Sequence, residues 1–288
     1  MQYEVTHTTR FSYEAPVTRC LNEVHLTPRE LPFQQVRKTF IKVDPTPLFI
    51  RHRKDYFGND VSTFAVMDVH HRLTATATSL VEVHDIADLK DDTVHPPISW
   101  EDARAKISAS ADESCLAASE FLYPSPYVPA VSLLGTYARE TFLPGRSLFE
   151  AAKELSHRIY TEFEYDPKAT SIDMPLADVF RNHRGVCQDF AHIMIGALRS
   201  LRLAARYVSG YVRSGSKIQG AQASHAWVSV FIPGSGWFNF DPTNDVMPTN
   251  GHVTLAWGRD YGDVTPIKGV TLGGGGQSIQ VEVYLKPV

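Results

Sequence analysis

The sequence has few cysteines, no block of basic residues and no long apolar run. Three cysteines, Cys20, Cys115 and Cys187, are spread over 288 residues. They are too few and too scattered for a disulfide framework, which indicates a reducing compartment. The N-terminus has no signal-peptide pattern, and no run reaches the roughly 18 apolar residues of a membrane span. These absences favour a cytoplasmic protein with no membrane partner.

The charge pattern excludes a further class of partner. The net charge is -4, and no arginine cluster or basic stripe interrupts the sequence. Because nucleic-acid binding requires such a footprint, we expect no nucleic-acid partner. With 43% hydrophobic and 21% charged residues, the composition is that of an ordinary globular protein, and the length suits roughly two domains.

The first part of the chain has the alternation of a sheet. Apolar and polar residues alternate from Tyr3 to Tyr13, and similar short runs follow at 36–43, 61–66 and 73–83. Turn signals, such as Ala15-Pro16 and Asp44-Pro45, separate them. Residues 1–84 are therefore predicted to be an all-β, sandwich-like N-terminal domain.

Residues 85–146 are predicted to be a linker and packing segment, with one short helix from Trp100 to about Ile107 capped by Ser99. Residues 147–288 then form an α+β unit. A helical stripe begins after Ser147, a second helix opens at Cys187, and strands follow at 206–213, 225–232 and 237–241. Successive strands without intervening helices predict an antiparallel sheet packed on the Cys187 helix.

Cys187 is the first candidate for chemistry. It follows Gly185-Val186 and precedes apolar residues at helical spacing, so it begins a helix. The positive end of a helix dipole favours a thiolate over a thiol. For a lone cysteine the plainer interpretation is a small buried hydrophobic residue at the start of the core stripe.

His225 and Asp241 strengthen the chemical interpretation. A thiolate nucleophile needs a base for its proton and a third group that orients the base. Pro233, the midpoint between the two residues, lies in a turn signal, so a hairpin reversing there would place them opposite each other. This pairing needs a five-residue loop or a bulge, because a four-residue loop turns Asp241 to the other face. Taken singly, His225 is more readily explained as a structural strand histidine, and Asp241 as a residue that begins a turn.

Several neighbouring residues have both a functional and a structural interpretation. A zinc site of Cys187, His183 and His192 lacks any ligand spacing, and His192 points away from Cys187. Trp227 shares a strand face with His225 and either walls a cleft or belongs to the core. Gln188 is interpreted as a residue that stabilises the local backbone. Residues 259–261 either line the site or hold the last segment of the chain in place.

Four sequence blocks resemble the core of the bacterial transglutaminase-like superfamily. They are GVCQDFAH at 185–192, ARYVSGY at 205–211, SHAWV at 224–228 and DPTN at 241–244. This superfamily is similar in architecture to papain-type thiol enzymes and animal transglutaminases. The resemblance extends from about residue 148 to the end, and residues 1–84 resemble the N-terminal region that accompanies this core.

The resemblance implies a papain/transglutaminase-like catalytic core at 147–288 and assigns its residues. It makes Cys187 the nucleophile, His225 the general base and acid, and Asp241 the residue that orients His225. The Cys187 N–H is the expected oxyanion donor. Papain-like enzymes have a glutamine six residues before the cysteine, whereas this chain has Arg181. No calcium-loop pattern is present, so we expect no metal and no cofactor.

The predicted function is cysteine-dependent acyl transfer on a peptide or protein substrate through a thioester. Resolution of the thioester by water defines a protease or amidase, which we favour. Resolution by a lysine amine defines a protein-glutamine transglutaminase. A non-catalytic interaction module that keeps the fold is the alternative from another class. The sequence does not determine the oligomeric state.

Overall fold

The alternating N-terminal segments form the predicted antiparallel sheet. The computed structural model describes residues 1–84, 98–169, 174–215, 218–220 and 223–288. Five strands follow one another in the first 84 residues and pair in the order β2-β5-β1-β4-β3. Their bounds are β1 Gln2–Val24, β2 Gln34–Asp44, β3 Phe49–Lys54, β4 Asp60–Val66 and β5 His70–Val83. The sequence patterns predict all of these except β3.

Strand β1 is longer than predicted. Its 23 residues continue through Ala15-Pro16, where a turn was expected. The pairing with β5 shifts register between Ser12 and Val17, so an irregularity takes the place of the turn. Bulges of this kind bend a strand without ending it.

Six helices occupy the middle of the described chain. Helix α1 is capped as predicted, with Ser99 accepting a hydrogen bond from the Asp102 N–H, whereas α2 and α3 fall where only linker was expected. The first part of that linker, 85–97, lies outside the described residues. The bounds are α1 Trp100–Ala109, α2 Glu113–Ser119, α3 Ser132–Arg139, α4 Leu148–Glu162, α5 Leu176–Asn182 and α6 Cys187–Ser200.

The second sheet is built after α6, as the sequence predicts. Its four antiparallel strands pair in the order β10-β9-β8-β11, and two short strands, β6 and β7, pair in parallel before α6. The bounds are β6 Glu164–Tyr165, β7 Arg184–Gly185, β8 Ala205–Val212, β9 His225–Ile232, β10 Gly236–Phe240, β11 His252–Gly258, β12 Ile267–Gly273 and β13 Gln277–Pro287.

Helix α6 is the centre of the main core. Every residue from Asp189 to Arg199 is buried, so the helix is enclosed on all sides rather than amphipathic. It packs on Val228 and Val230 of β9, on Ala205 of β8 and on helices α3 to α5. The predicted fold, a helix bearing the cysteine on an antiparallel sheet, is confirmed. Burial on all sides fixes the position of Cys187 at the end of α6.

The last two strands join the first sheet. β13 pairs with the first half of β1, from Tyr3 opposite Pro287 to Tyr13 opposite Gln277, and β12 pairs with its second half. Residues 267–287 therefore complete the sheet of residues 1–84, and the division of the chain at 147 stays a prediction. No helix within the described ranges is long and apolar enough to cross a membrane.

Candidate functional site

Cys187 lies at the first position of α6, where a local cap shapes the turn. The Asp189 carboxylate accepts a hydrogen bond from the Val186 N–H at 2.9 Å. A Cβ at Gly185 would lie 2.7 Å from the same carboxylate, so this close approach requires glycine. Cys187 is 9% exposed, compared with 4% for Cys115 and 3% for Cys20. It is the least enclosed of the three thiols.

His225 and Asp241 form a sealed pair beside this helix end. The His225 Nε2–H donates to Asp241 Oδ2 at 2.7 Å, and both side chains are 0% exposed. Asp241 Oδ1 accepts from the Thr243 N–H at 3.0 Å and the Asn244 N–H at 3.3 Å. The DPTN turn therefore orients the carboxylate, and the carboxylate orients the ring.

The hairpin brings the pair together in a register different from the predicted one. Gly236 pairs with Ile232 and Phe240 with Val228, so the loop has three residues, 233–235. The expectation of a five-residue loop or a bulge is wrong. In this register Asp241 lies diagonally from His225, two residues from the position directly opposite. Because side chains alternate along a strand, a shift of two keeps both on one face.

The surroundings of His225 and Asp241 shift the pKa values of both groups. Burial by itself would lower the pKa of His225, but the Asp241 carboxylate, with a smaller contribution from Cys187, raises it to about 10. Burial would raise the pKa of Asp241, yet His225, and then His252, hold it well below its usual value. The pair is thus an imidazolium and a carboxylate at neutral pH.

The second ring nitrogen of His225 is left for Cys187. Nδ1 is buried and has no hydrogen-bond partner within the usual distance and angle limits among the described residues. Cys187 is nevertheless close enough to raise the pKa of the ring through hydrogen bonding and charge. The structure therefore brings together all three residues that the sequence singled out. Their catalytic roles stay predictions.

Two residues not assigned to the site by the sequence also contact the Asp241 carboxylate. The Asn244 Nδ2 donates to Asp241 Oδ2 at 2.8 Å, and His252 Nε2 lies 3.5 Å from the same oxygen. Asn244 could have been found from the turn motif, since an asparagine at this position commonly bonds the local backbone. His252 comes from a separate strand, β11, and no sequence spacing predicts its approach.

The same cluster is the place to test for a metal. Ligand atoms of His225, Asp241 and His252 lie within 4.8 Å of one another. Ligands bound about 2 Å from a tetrahedral zinc are roughly 3.3 Å apart, whereas the His225–Asp241 separation is 2.7 Å. This arrangement fits a hydrogen bond better than a shared cation.

Three phenols lie close enough to Cys187 for the thiol to act on their pKa values. Burial first, and the neighbouring Cys187 second, raise the pKa of Tyr165 to about 12 and that of Tyr207 well above its usual value. Burial raises the pKa of Tyr261 as well, with contributions from Tyr127 and Cys187. These three phenols therefore stay neutral at physiological pH. Arg181, which occupies the papain glutamine position, instead bonds Asp178 at 2.8 Å.

The other sequence candidates have structural partners. Trp227 is fully buried, with its ring 6.2 Å from His225 and 5.4 Å from His252. His192 Nε2 accepts from the Tyr261 N–H at 3.2 Å, and His183 Nδ1–H donates to the Glu162 carbonyl. Across the described ranges, these histidines and Cys187 form no group of potential zinc ligands.

In the segment 259–261, Arg259 and Asp260 fix the end of β11, while Tyr261 also lies close enough to Cys187 for the thiol to act on its pKa. Arg259 bonds both oxygens of Asp263, and Asp260 accepts from the Tyr127 N–H at 2.9 Å. The Tyr261 ring packs on Tyr127 and Tyr207. These contacts hold the phenols in place next to α6.

The loop residues 218–220 lie against the Nδ1 side of the His225 imidazole. A Cβ at Gly220, which has φ +82°, would lie 2.6 Å from His225 Nδ1. The Gln219 N–H donates to Asn244 Oδ1 at 2.8 Å, which ties the loop to the DPTN turn. The loop is therefore anchored directly over His225.

A cysteine at a helix N-terminus that faces a buried histidine–aspartate pair on an antiparallel sheet defines the papain-like class of α+β proteins. Residues 3–82 match the bacterial transglutaminase-like N-terminal region, and residues 135–242 match the transglutaminase-like superfamily. The chain therefore belongs to the bacterial transglutaminase-like family, which confirms the resemblance seen in the sequence.

Individual relatives extend over nearly the whole chain. The uncharacterized protein Rv2569c of Mycobacterium tuberculosis is 36% identical over 282 residues, 93% of this chain and 87% of that protein. The uncharacterized protein ML0607 of Mycobacterium leprae is 32% identical and covers 98% of this chain and 97% of its own. A Cytophaga hutchinsonii crystal structure, described as a candidate cysteine protease, has a TM-score of 0.75 at 21% identity and covers 100% of this chain and 91% of its own. At that identity, the structural likeness establishes the fold alone.

Proposed function

We propose that this protein is a cysteine-dependent acyl-transfer enzyme that cleaves peptide or amide bonds in a peptide or protein substrate. The observation that carries the proposal is the sealed His225–Asp241 pair, 2.7 Å across, with its free ring nitrogen beside Cys187. A merely structural histidine would not need a buried carboxylate on one nitrogen and an unused second nitrogen. The membership of the family and the fold of the Cytophaga protein support the same class.

The first half of the reaction uses the ion pair. The Cys187 thiolate attacks the carbonyl carbon, and the oxygen gains the negative charge opposite the Cys187 N–H, which has no acceptor in the first turn of a helix. His225 Nδ1–H gives its proton to the departing nitrogen as the C–N bond breaks. The amine leaves, and a thioester to Cys187 is left.

The second half returns the enzyme to its starting state. Neutral His225 removes a proton from water, and the resulting hydroxide attacks the thioester carbon. The C–S bond breaks, Cys187 leaves as the thiolate, and His225 is again the imidazolium. Asp241 stays ionised throughout and stabilises the imidazolium form. A primary amine in place of water would give the transglutaminase reaction by the same steps.

The ionisation state of the pair suits this chemistry. A histidine held protonated to about pH 10 carries at neutral pH the proton that the leaving amine needs. An adjacent cation also favours the thiolate of a neighbouring cysteine. The acid and the nucleophile are therefore expected to coexist at neutral pH.

Alkylation of the three cysteines tests the proposal. Wild-type protein is treated with iodoacetamide from about pH 5 to about pH 9, and the alkylated peptides are measured by mass spectrometry. Cys187 is expected to react well below the pH at which a free thiol ionises, about 8.5. Cys115 and Cys20 are controls within the same molecule. Equal inertness of all three would overturn the enzyme and favour the interaction module.

A product experiment separates hydrolysis from transamidation. Glutamine-containing peptides are incubated with and without a primary amine, using Cys187→Ala as the blank. Cleaved or deamidated products that form equally in both cases support a protease or amidase. A mass increase equal to the added amine minus ammonia supports a transglutaminase.

A further inference from the structure

His252 is a second imidazole on the carboxylate of Asp241. Its Nε2 lies 3.5 Å from Asp241 Oδ2, the same oxygen that His225 contacts at 2.7 Å. The two rings are 6.4 Å apart, so one carboxylate oxygen lies between them. The arrangement extends the line of Cys187, His225 and Asp241 by a fourth residue.

Among the residues that the structure describes, Asp241 is the one hydrogen-bond partner of the His252 side chain. The residue is 7% exposed, and its Nδ1 is buried without a hydrogen-bond partner in the described chain. The edge of the ring meets Trp227 at 5.4 Å and 80°. A buried polar ring with one nitrogen unused loses solvation that a plain apolar residue would not lose. The presence of a histidine at this place therefore needs a reason other than packing.

We infer that His252 is a positioning residue for the proposed acyl transfer, donating its Nε2–H to Asp241 Oδ2 so that the carboxylate stays directed at His225. This inference rests on the proposed function. The His252 side chain contacts Asp241, His225 and Trp227, and in this role it acts through Asp241. The 3.5 Å separation is at the long limit of a hydrogen bond, and catalytic hydrogen bonds in free enzymes commonly shorten when substrate is bound.

The chemistry explains why one more donor is useful. When His225 gives up its proton to the leaving group, the carboxylate loses its cationic partner for part of each cycle. An ionised carboxylate without enough donors in a buried site is costly and free to rotate. Asn244 holds Oδ2 from the turn side at 2.8 Å, and His252 holds it from β11. Together they fix the carboxylate between two elements while the charge on His225 changes.

Paired variants of equal length test the inference. His252→Gln keeps an N–H donor and His252→Met does not. We expect His252→Met to lower kcat roughly 10- to 100-fold with KM unchanged, and His252→Gln to recover most of the loss. His252→Phe, which keeps an aromatic ring against Trp227, should behave like Met. His70→Met, at a site 6% exposed in the first sheet, is the control for burial and should leave kcat unchanged.

Alkylation of Cys187 separates this inference from the proposed function. The rate with iodoacetamide at neutral pH is expected to fall in His252→Met and to recover in His252→Gln. If Cys187 is alkylated rapidly in the wild type and equally rapidly in His252→Met, the positioning role is overturned while the proposed enzymatic function stands. Failure of Gln to recover what Met and Phe lose, at equal thermal stability, would also overturn it. A wild-type Cys187 no faster than Cys115 would overturn the proposed function itself.

Discussion

Asp241 contacts His225 at 2.7 Å although the two residues are not opposite each other in the β9–β10 hairpin. The ladder ends at Phe240 opposite Val228, and Asp241 is the first residue beyond it. Its backbone instead pairs with Val246 across the turn. The diagonal approach lets Oδ1 accept from the backbone N–H groups of the turn while Oδ2 accepts from His225.

Removal of the Asp241 charge should disable the site without removing its shape. Asp241→Asn keeps an acceptor for His225 but no negative charge, so the pKa of His225 should fall steeply from about 10, because burial, which lowers it, is then no longer offset by the carboxylate. We expect kcat/KM to fall roughly 10²- to 10⁴-fold. Asp178→Asn, which alters an exposed ion pair with Arg181, is the control. A loss below about threefold would contradict the role assigned to Asp241.

The pair should make stability depend on pH with a defined sign. The folded pKa of His225 lies above its usual 6.5, so its stabilisation is present below pH 6.5 and is lost as pH rises toward about 10. The folded pKa of Asp241 is depressed, so its stabilisation is present above pH 3.8 and is lost on acidification. The contribution is therefore greatest between these two values.

Urea unfolding measures this dependence. The free energy of unfolding of wild type minus that of His225→Gln should shrink as the buffer is changed from about pH 5 to about pH 9. Urea at a fixed ionic strength keeps surface charge effects comparable. A difference that grows with pH would mean that His225 is neutral in the folded protein.

The loop over His225 should tolerate no side chain. Gly220→Ala places a Cβ 2.6 Å from His225 Nδ1, and the displaced ring should lower kcat/KM roughly 10- to 100-fold. Gly234→Ala is the matched control, since Gly234 has φ +85° but no atom within 4 Å of the added Cβ. Both variants carry similar backbone strain. Equal activities would show that the ring can move without consequence.

Arg199 should be the polar residue on which the core most depends. Its guanidinium donates to the carbonyls of Phe121, Ala205 and Arg259, which lie on three different segments. Arg199→Met leaves these carbonyls buried without a donor, so we expect a loss of about 3 kcal/mol or more in the free energy of unfolding. Arg139→Met, on the exposed face of α3, should cost less than about 0.5 kcal/mol. Chemical denaturation of both variants provides the comparison.

The sequence predicts the elements around the site better than their contacts. Helix α6, strand β9 and the hairpin turn follow from apolar spacing and turn residues, and the family blocks identify Cys187, His225 and Asp241. The register predicted for the hairpin differs by two residues from the observed one. The reason is that the loop length depends on the φ of Gly234 and Gly236. Residue patterns do not determine this angle.

Contacts between distant segments could not be predicted. His252 approaches Asp241 only because β11 pairs with β8 at the edge of the sheet. Helices α2 and α3 were missed because prolines at 124, 126 and 129 suggest a loop throughout that region. The approach of His252 leaves no local period in the sequence, so tertiary packing alone decides it, whereas Leu134, Tyr137 and Ala138 of α3 do have helical spacing.

The pairing of β12 and β13 with β1 has a consequence for biosynthesis. β1 is synthesised more than 240 residues before the strands that pair with this edge, as in the register from Val17 to Gly273. Closing so long a loop is slow compared with forming local contacts. One edge of β1 would therefore stay unpaired during synthesis until β12 and β13 have been made, and a chaperone that shields such an edge would raise the yield of folded protein.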